Sequence, residues 1–195
     1  MLTSKRFIYS LLLVSAFSSL TGCSPLIGPT IEVSEFPAPA AASAGAKIGF
    51  GRSVAVGPFS DSRIVPVEGA PENGVTEAVG KTGQLIEEHL REILLRQGYT
   101  VSDIAPVRLR GEVVRWNTSV TTTTTTKIES HAAIAVEVVA ESGHRPLYSA
   151  TYVGSRTSES PVASKNDIRT SLAIAAASAV ENIVEDQRLV GYLVK

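Results

Sequence analysis

The sequence of 195 residues contains a single cysteine and only three histidines. With Cys23 as the one thiol, no disulfide can form within the chain. His89, His131 and His144 fall on different predicted elements, so their spacing does not indicate a metal site. The sequence also lacks the Gly-x-Ser-x-Gly motif of many serine hydrolases. We therefore expect no catalytic residues, no metal and no cofactor, and we predict that the chain is not an enzyme.

The sequence also lacks a marked excess of either charge. It has 18 basic and 19 acidic residues, which gives a formal charge of −1. Removal of residues 1–22 would take away Lys5 and Arg6 and leave a formal charge of −3. Domains that bind nucleic acid usually present a concentrated basic surface. No nucleic-acid partner is therefore expected.

No apolar run is long enough for a convincing transmembrane helix, which needs about 20 such residues. Lys5 and Arg6 precede an apolar stretch over residues 7–17, and small polar residues follow at Ser18 and Ser19. This order of a basic segment, a short apolar segment and small residues is typical of an export signal. We predict that residues 1–22 are a signal peptide.

The end of this signal is similar to a lipobox, with Leu20, Thr21 and Gly22 before Cys23. The resemblance implies that Cys23 becomes the first mature residue and carries acyl chains such as palmitate. Each buried methylene contributes about 0.8 kcal/mol, so several chains would hold the protein on a membrane. Ser24 follows the cysteine, and by resemblance to enterobacterial lipoproteins this favours the outer membrane, facing the periplasm. The alternative is an ordinary exported protein with a cysteine near its cleavage site.

The composition changes after the lipobox. Residues 23–50 are rich in proline, alanine, serine and glycine, which favours a flexible tether behind the lipidated cysteine. Residues 51–195 are enough for a single domain with its own core. Within them, residues 64–80 carry several prolines and glycines, which predicts a long exposed loop.

Hydrophobic periodicity predicts the elements of this domain. Alternating or β-branched segments indicate strands near residues 52–59, 99–101, 107–115, 134–138 and 147–156. Three- and four-residue spacing predicts one helix capped by Thr82 and ended by Gly98, and another opened by a capping box of Ser164 and Asp167. Six threonines at 121–126 predict a hairpin rim. The expected fold is α+β: a mostly antiparallel sheet with two main helices packed on one face, after a flexible N-terminal tether.

Several short motifs together resemble the YajG-type lipoproteins of the bacterial envelope. Besides the lipobox, they are Thr30-Ile31-Glu32-Val33, Asp61-Ser62-Arg63, Gly98-Tyr99, Tyr148-Ser149-Ala150-Thr151-Tyr152 and Ser164-Lys165-Asn166-Asp167-Ile168. The alanine-proline tether and the threonine run depart from that family's pattern. The resemblance implies an exported lipoprotein, and it supplies no catalytic residue, cofactor or substrate.

Three residues are candidates for binding a partner. Asp61 and Arg63 follow the first predicted strand and could pair with a partner's amine or carboxylate, while the alternative is a turn cap with a solvated arginine. Trp116 could anchor an interface or pack in the core or at its rim. The predicted function is a non-catalytic docking or accessory module for an envelope protein. A binder of a glycan or lipid fragment between sheet and helices is the alternative.

Overall fold

The computed structural model describes residues 30–39, 49–65, 74–141, 143 and 145–194. Its described elements are seven strands and three helices, in agreement with the α+β fold predicted from the sequence. The strands are β1 (Thr30–Glu32), β2 (Ser53–Ser60), β3 (Val75–Val79), β4 (Thr100–Val101), β5 (Val107–Thr122), β6 (Thr126–Ala140) and β7 (Pro146–Ser160). The helices are α1 (Thr82–Arg96), α2 (Lys165–Glu185) and α3 (Gln187–Leu193).

The sheet is dominated by the long antiparallel ladders of β5 with β6 and of β6 with β7. β5 is long enough to have two neighbours along its other edge. Its first half pairs in parallel with β2, and its second half pairs antiparallel with β3. The short strands β4 and β1 extend the sheet by parallel pairing with β2 and β3. The six threonines close the β5–β6 hairpin, as predicted, with Thr122 opposite Thr126.

Helices α1 and α2 cover one face of the sheet, with α1 mainly over β2 and α2 mainly over β6 and β7. Successive side chains of a strand point to opposite faces, so every second residue faces the helices. On β6 the buried positions include Ile128, Ile134 and Val136. α2 approaches β7 closely: a Cβ at Gly154 would lie 2.1 Å from the carbonyl oxygen of Ala175. A glycine opposite an alanine-rich helix therefore sets the spacing between these two elements.

The helix ends agree with the sequence in two places and differ in one. Ser164 and Asp167 form the predicted capping box of α2, and Gly98 follows α1 with the positive φ of 91° expected of a helix-ending glycine. Thr82, however, does not cap α1. The N-cap is Lys81, which makes no side-chain capping bond, and the Thr82 hydroxyl donates instead to the Asp61 carboxylate.

Two segments are more ordered than their composition suggested. The loop predicted over residues 64–80 contains β3, which begins after the glycine at position 74 and buries Thr76 and Ala78. The tether predicted over residues 23–50 contains β1 and a further extended stretch, where Ile31 and Val33 are both buried and Glu32 between them is exposed. This alternation is short and lies close to many prolines and alanines, so the sequence did not predict a strand there.

Candidate functional site

The guanidinium of Arg63, just beyond β2, makes all its hydrogen bonds within the chain. Nε and Nη2 each donate to the Asp61 carboxylate at 2.8 Å. Nη1 donates to Glu77 at 3.1 Å and to the Trp116 carbonyl at 2.9 Å, and Nη2 also donates to the Ala78 carbonyl at 2.9 Å. Only 10% of the Arg63 side chain is exposed. We call these residues, with Thr82, the arginine cluster.

The arginine cluster holds Asp61 in its charged form. Burial alone would raise the pKa of Asp61, but hydrogen bonds from Arg63 and Thr82 and the positive charge of Arg63 outweigh burial and lower it. The cluster joins the end of β2 to β3 and to the first turn of α1. Arg63 is thus not the solvated residue that one reading of the sequence suggested. A role for Asp61 and Arg63 in partner binding stays a prediction.

Trp116 lies on the inner face of β5 and is fully buried. Its indole Nε1 donates to the Leu172 carbonyl of α2 at 3.0 Å. Of the two roles predicted for it, the structure therefore shows core packing. The lipobox residues Leu20, Thr21 and Gly22, together with Cys23, lie outside the described residues.

Residues 33–39 form an extended segment along α1, which we call the strap. The Val33 amide donates to the Val79 carbonyl at 3.2 Å, and Arg96 at the end of α1 donates to the Pro39 carbonyl at 3.0 Å. Between these points the Phe36 ring packs 4.9 Å from the His89 ring and 5.6 Å from the Trp116 ring. The strap therefore fastens the N-terminal segment to both α1 and the sheet.

Two adjoining cavities of about 260 and 220 Å³ lie between the strap and α1, and we call them the strap groove. Both are lined by Ser34, Leu85 and Glu88. Among the described lining residues, four are acidic and one is a cation: Glu32, Glu35, Glu88, Glu92 and Lys81. Glu92 pairs with Arg96 at 2.6 Å, whereas Glu32 and Glu35 form no ion pair within the described part of the chain. The groove is therefore negatively charged.

His89 lines the second cavity of the strap groove and is only 5% exposed. Its Nε2 has no hydrogen-bond partner among the described residues. Burial lowers the pKa of His89, against the opposing charges of Glu92 and Glu181. A neutral imidazole with an unpartnered nitrogen can donate to or accept from a bound group. The sequence indicated only a helix-face position for His89, because the strap that buries it was predicted to be a tether.

A second polar cluster lies where β7 meets the start of α3. The hydroxyls of Tyr148 and Tyr152 both donate to the Asp186 carboxylate at 2.7 Å, and Asp186 also caps α3 by accepting from the Arg188 amide. Burial and the bond to Asp186 raise the pKa of Tyr152. We call this group the tyrosine cluster.

Within the described ranges, no group of three or more histidine, cysteine or acidic side chains is arranged to hold a metal ion. None of the helices in those ranges combines the length and apolar character needed to cross a bilayer.

Comparison with known proteins identifies the class of this chain. A family model described as an uncharacterized lipoprotein matches residues 68–194. Because the match covers well over half of the sequence, the chain belongs to this lipoprotein family, and the resemblance to YajG-type lipoproteins is confirmed. No curated protein matches the sequence.

Among solved structures, one shares the fold and two others match with lower scores. A Xanthomonas campestris protein of the DUF330 family has a TM-score of 0.56 at 13% identity, over 84% of this chain and 96% of its own. A minor lipoprotein from Acinetobacter baumannii has a TM-score of 0.47 at 13% identity, over 73% of this chain and 95% of its own. A Caulobacter crescentus protein described as a lipoprotein has a TM-score of 0.43 at 21% identity, over 60% and 86%. The first of these shows that the fold recurs.

Proposed function

We propose that this lipoprotein is held by acyl chains on Cys23 at the outer membrane, faces the periplasm, and serves as a non-catalytic docking module for another envelope protein. The strap groove is the observation that carries the proposal. Open volume coincides there with carboxylates that form no ion pair, and with a buried nitrogen that has no partner, among the described residues. Such groups favour a ligand that completes their pairing.

The shape of the groove favours a polypeptide over a small molecule. Pockets for small molecules usually enclose about 300–1,000 Å³ in one space, whereas here the volume is divided between two smaller cavities. Together they follow the strap along α1, which suits successive side chains of an extended segment. The small-ligand alternative placed its site between sheet and helices, where Trp116 and the contact of Gly154 with α2 now fill the space.

The charge of the groove indicates what kind of segment it would accept. Glu32, Glu35 and Glu88 outnumber Lys81, so a lysine or arginine from the partner would relieve their mutual repulsion. At the second cavity, His89 would bond to a polar group of the same segment. The proposed partner is therefore an envelope protein with an extended basic segment.

Site-specific cross-linking tests this assignment. A photo-cross-linking amino acid at Gln84, which lines the first cavity, should capture a protein in the cells that make the lipoprotein naturally. The double variant Glu35→Lys with Glu88→Lys should abolish the capture because it reverses the groove's charge. Native mass spectrometry of the purified protein would reveal a small ligand instead.

The matched control is Glu141→Lys with Glu185→Lys. Both residues are exposed and lie outside the groove lining, and the change in net charge is the same. The control should keep the cross-link. If the two double variants behave alike, the groove is not the docking site. If native mass spectrometry shows a bound small molecule that is lost only from the groove variant, the protein binds a small ligand there and the docking proposal is rejected.

A further inference from the structure

The link between the lipid attachment site and the folded sheet is short. Six residues separate Cys23 from Thr30, the first residue of β1. Since a fully extended chain advances at most about 3.6 Å per residue, the seven steps from Cys23 to Thr30 can span at most about 25 Å. A chain anchored at Cys23 must therefore keep the start of β1 within about 25 Å of the membrane surface.

The register of the sheet shows which end of the domain this places near the membrane. Thr30 pairs with Glu77, and Glu77 pairs with Asn117 of β5. Because β1 and β3 run opposite to β5, the N-terminus of β1 points toward the β5–β6 turn. From Asn117 to Thr124, at the tip of that turn, the strand rises by about 23 Å. The reach of the link thus matches the projection of the hairpin.

The chemistry of the hairpin suits contact with lipid headgroups. Residues 121–125 are five consecutive exposed threonines. Next to them β7 ends at Ser160, which pairs with Thr126, and Val162 beyond it is 68% exposed. We call residues 121–125 and 161–162 the hairpin end. Uncharged hydroxyls can bond to phosphate and ester oxygens without the penalty of desolvating a charge.

The strap groove offers the contrasting surface. Its carboxylates at Glu32, Glu35 and Glu88 would be repelled by anionic lipids. We propose that the hairpin end contacts the lipid headgroups and that the groove stays open to the periplasm. This orientation rests on the lipid anchoring in the proposed function.

Fluorescence quenching in vesicles tests the orientation. The full lipidated chain is placed in vesicles of phosphatidylethanolamine and phosphatidylglycerol that contain a headgroup spin-labelled lipid. A fluorophore is attached at Thr124→Cys, while the acylated sulfur of Cys23 does not react. The control is Ile104→Cys, which is 84% exposed and precedes β5, about 50 Å along the strand from the hairpin tip.

The label at position 124 should be quenched several-fold more strongly than the label at 104. Equal quenching, or stronger quenching at 104, overturns the orientation. Inserting about twelve glycine and serine residues after Gly28 should reduce the quenching at 124, because a flexible linker of that length releases the domain. Unchanged quenching in the lengthened chain overturns the reach argument.

Flotation separates this inference from the function on which it rests. The unaltered chain should float with vesicles and Cys23→Ser should not. Failure of both to float would reject the lipid anchoring and the orientation with it. Flotation without a difference between the two labels would reject the orientation alone, and the groove cross-link would still test docking.

Discussion

The arginine cluster and the strap groove both place polar groups against α1, and they differ in how completely those groups are paired. The five N–H groups of the Arg63 guanidinium all have acceptors within the fold. In the groove, His89 Nε2 has no partner among the described residues. An unpaired buried polar group costs about 1–3 kcal/mol. A saturated cluster therefore serves the fold, while an unsaturated one leaves bonding capacity for a ligand.

The largest effect is expected from Arg63→Ala. The change leaves the carboxylates of Asp61 and Glu77 and the carbonyls of Ala78 and Trp116 without their shared donor. Loss of one member of a largely buried ion pair typically costs about 3 kcal/mol or more. The free energy of unfolding, measured by urea denaturation, should fall by about that amount.

The control for this prediction is Arg110→Ala. Arg110 pairs with Glu137 at 2.8 Å, but both side chains are more than a third exposed, so the loss should stay below about 1 kcal/mol. Arg63→Lys should fall between the two, because lysine keeps the charge and loses the planar fork. Equal losses for Arg63→Ala and Arg110→Ala would remove the distinction between a saturated buried cluster and a surface pair.

The same contrast explains what the sequence predicted and what it did not. Strands β5 to β7 and helices α1 and α2 follow local periodicity, which each sequence window contains. The strap and β3 depend on pairing with residues far along the chain, as in the bonds from Arg63 to the Ala78 carbonyl and from Arg96 to the Pro39 carbonyl. No local pattern records such contacts.

The candidate site residues were likewise only partly predictable from the sequence. Asp61 and Arg63 were candidates because they follow a predicted strand. That their side chains are fully hydrogen-bonded depends on β3 and α1, which the sequence does not place beside them. His89 carried no signal, since its burial requires Phe36 of the strap. A phenylalanine within an alanine-proline segment was one indication that this segment packs against the domain.

A smaller effect is expected in the tyrosine cluster from Tyr152→Phe. The ring remains in place, and the Tyr148 hydroxyl and the Arg188 amide still donate to Asp186. The free energy of unfolding should therefore fall by about 1–2 kcal/mol, the low end for a hydrogen bond to a charged group, because Asp186 keeps its other donors. Urea denaturation beside Tyr148→Phe, where Tyr152 remains as donor, provides the comparison. A loss as large as that of Arg63→Ala would mean that the two hydroxyls act as one unit with Asp186.

The smallest effect near neutral pH is expected from His89→Leu, which puts an apolar side chain in place of a buried ring whose Nε2 has no partner among the described residues. At pH 7.5 the free energy of unfolding should stay within about 0.5 kcal/mol of the unaltered protein, or rise slightly. If instead it falls by as much as in Arg63→Ala, His89 is a structural residue and the contrast between cluster and groove fails.

The strap groove and the arginine cluster should also affect stability in different pH ranges. In the groove, burial places the folded-state pKa of His89 below its ordinary value of 6.5. As the pH falls below about 6.5, the unfolded chain takes up a proton that the folded chain resists, so the unaltered protein loses stability until the pH passes the folded-state pKa. His89→Leu removes this share of the loss.

Asp61 acts in a different pH range: its lowered pKa stabilises the fold above its ordinary value of 3.8, and that contribution disappears as the pH falls further. Denaturation from pH 7.5 to 3 should therefore show the His89→Leu curve departing from the unaltered one below pH 6.5. Parallel curves would mean that His89 does not resist protonation in the folded chain, and the contrast between cluster and groove would then rest on the carboxylates of the groove alone.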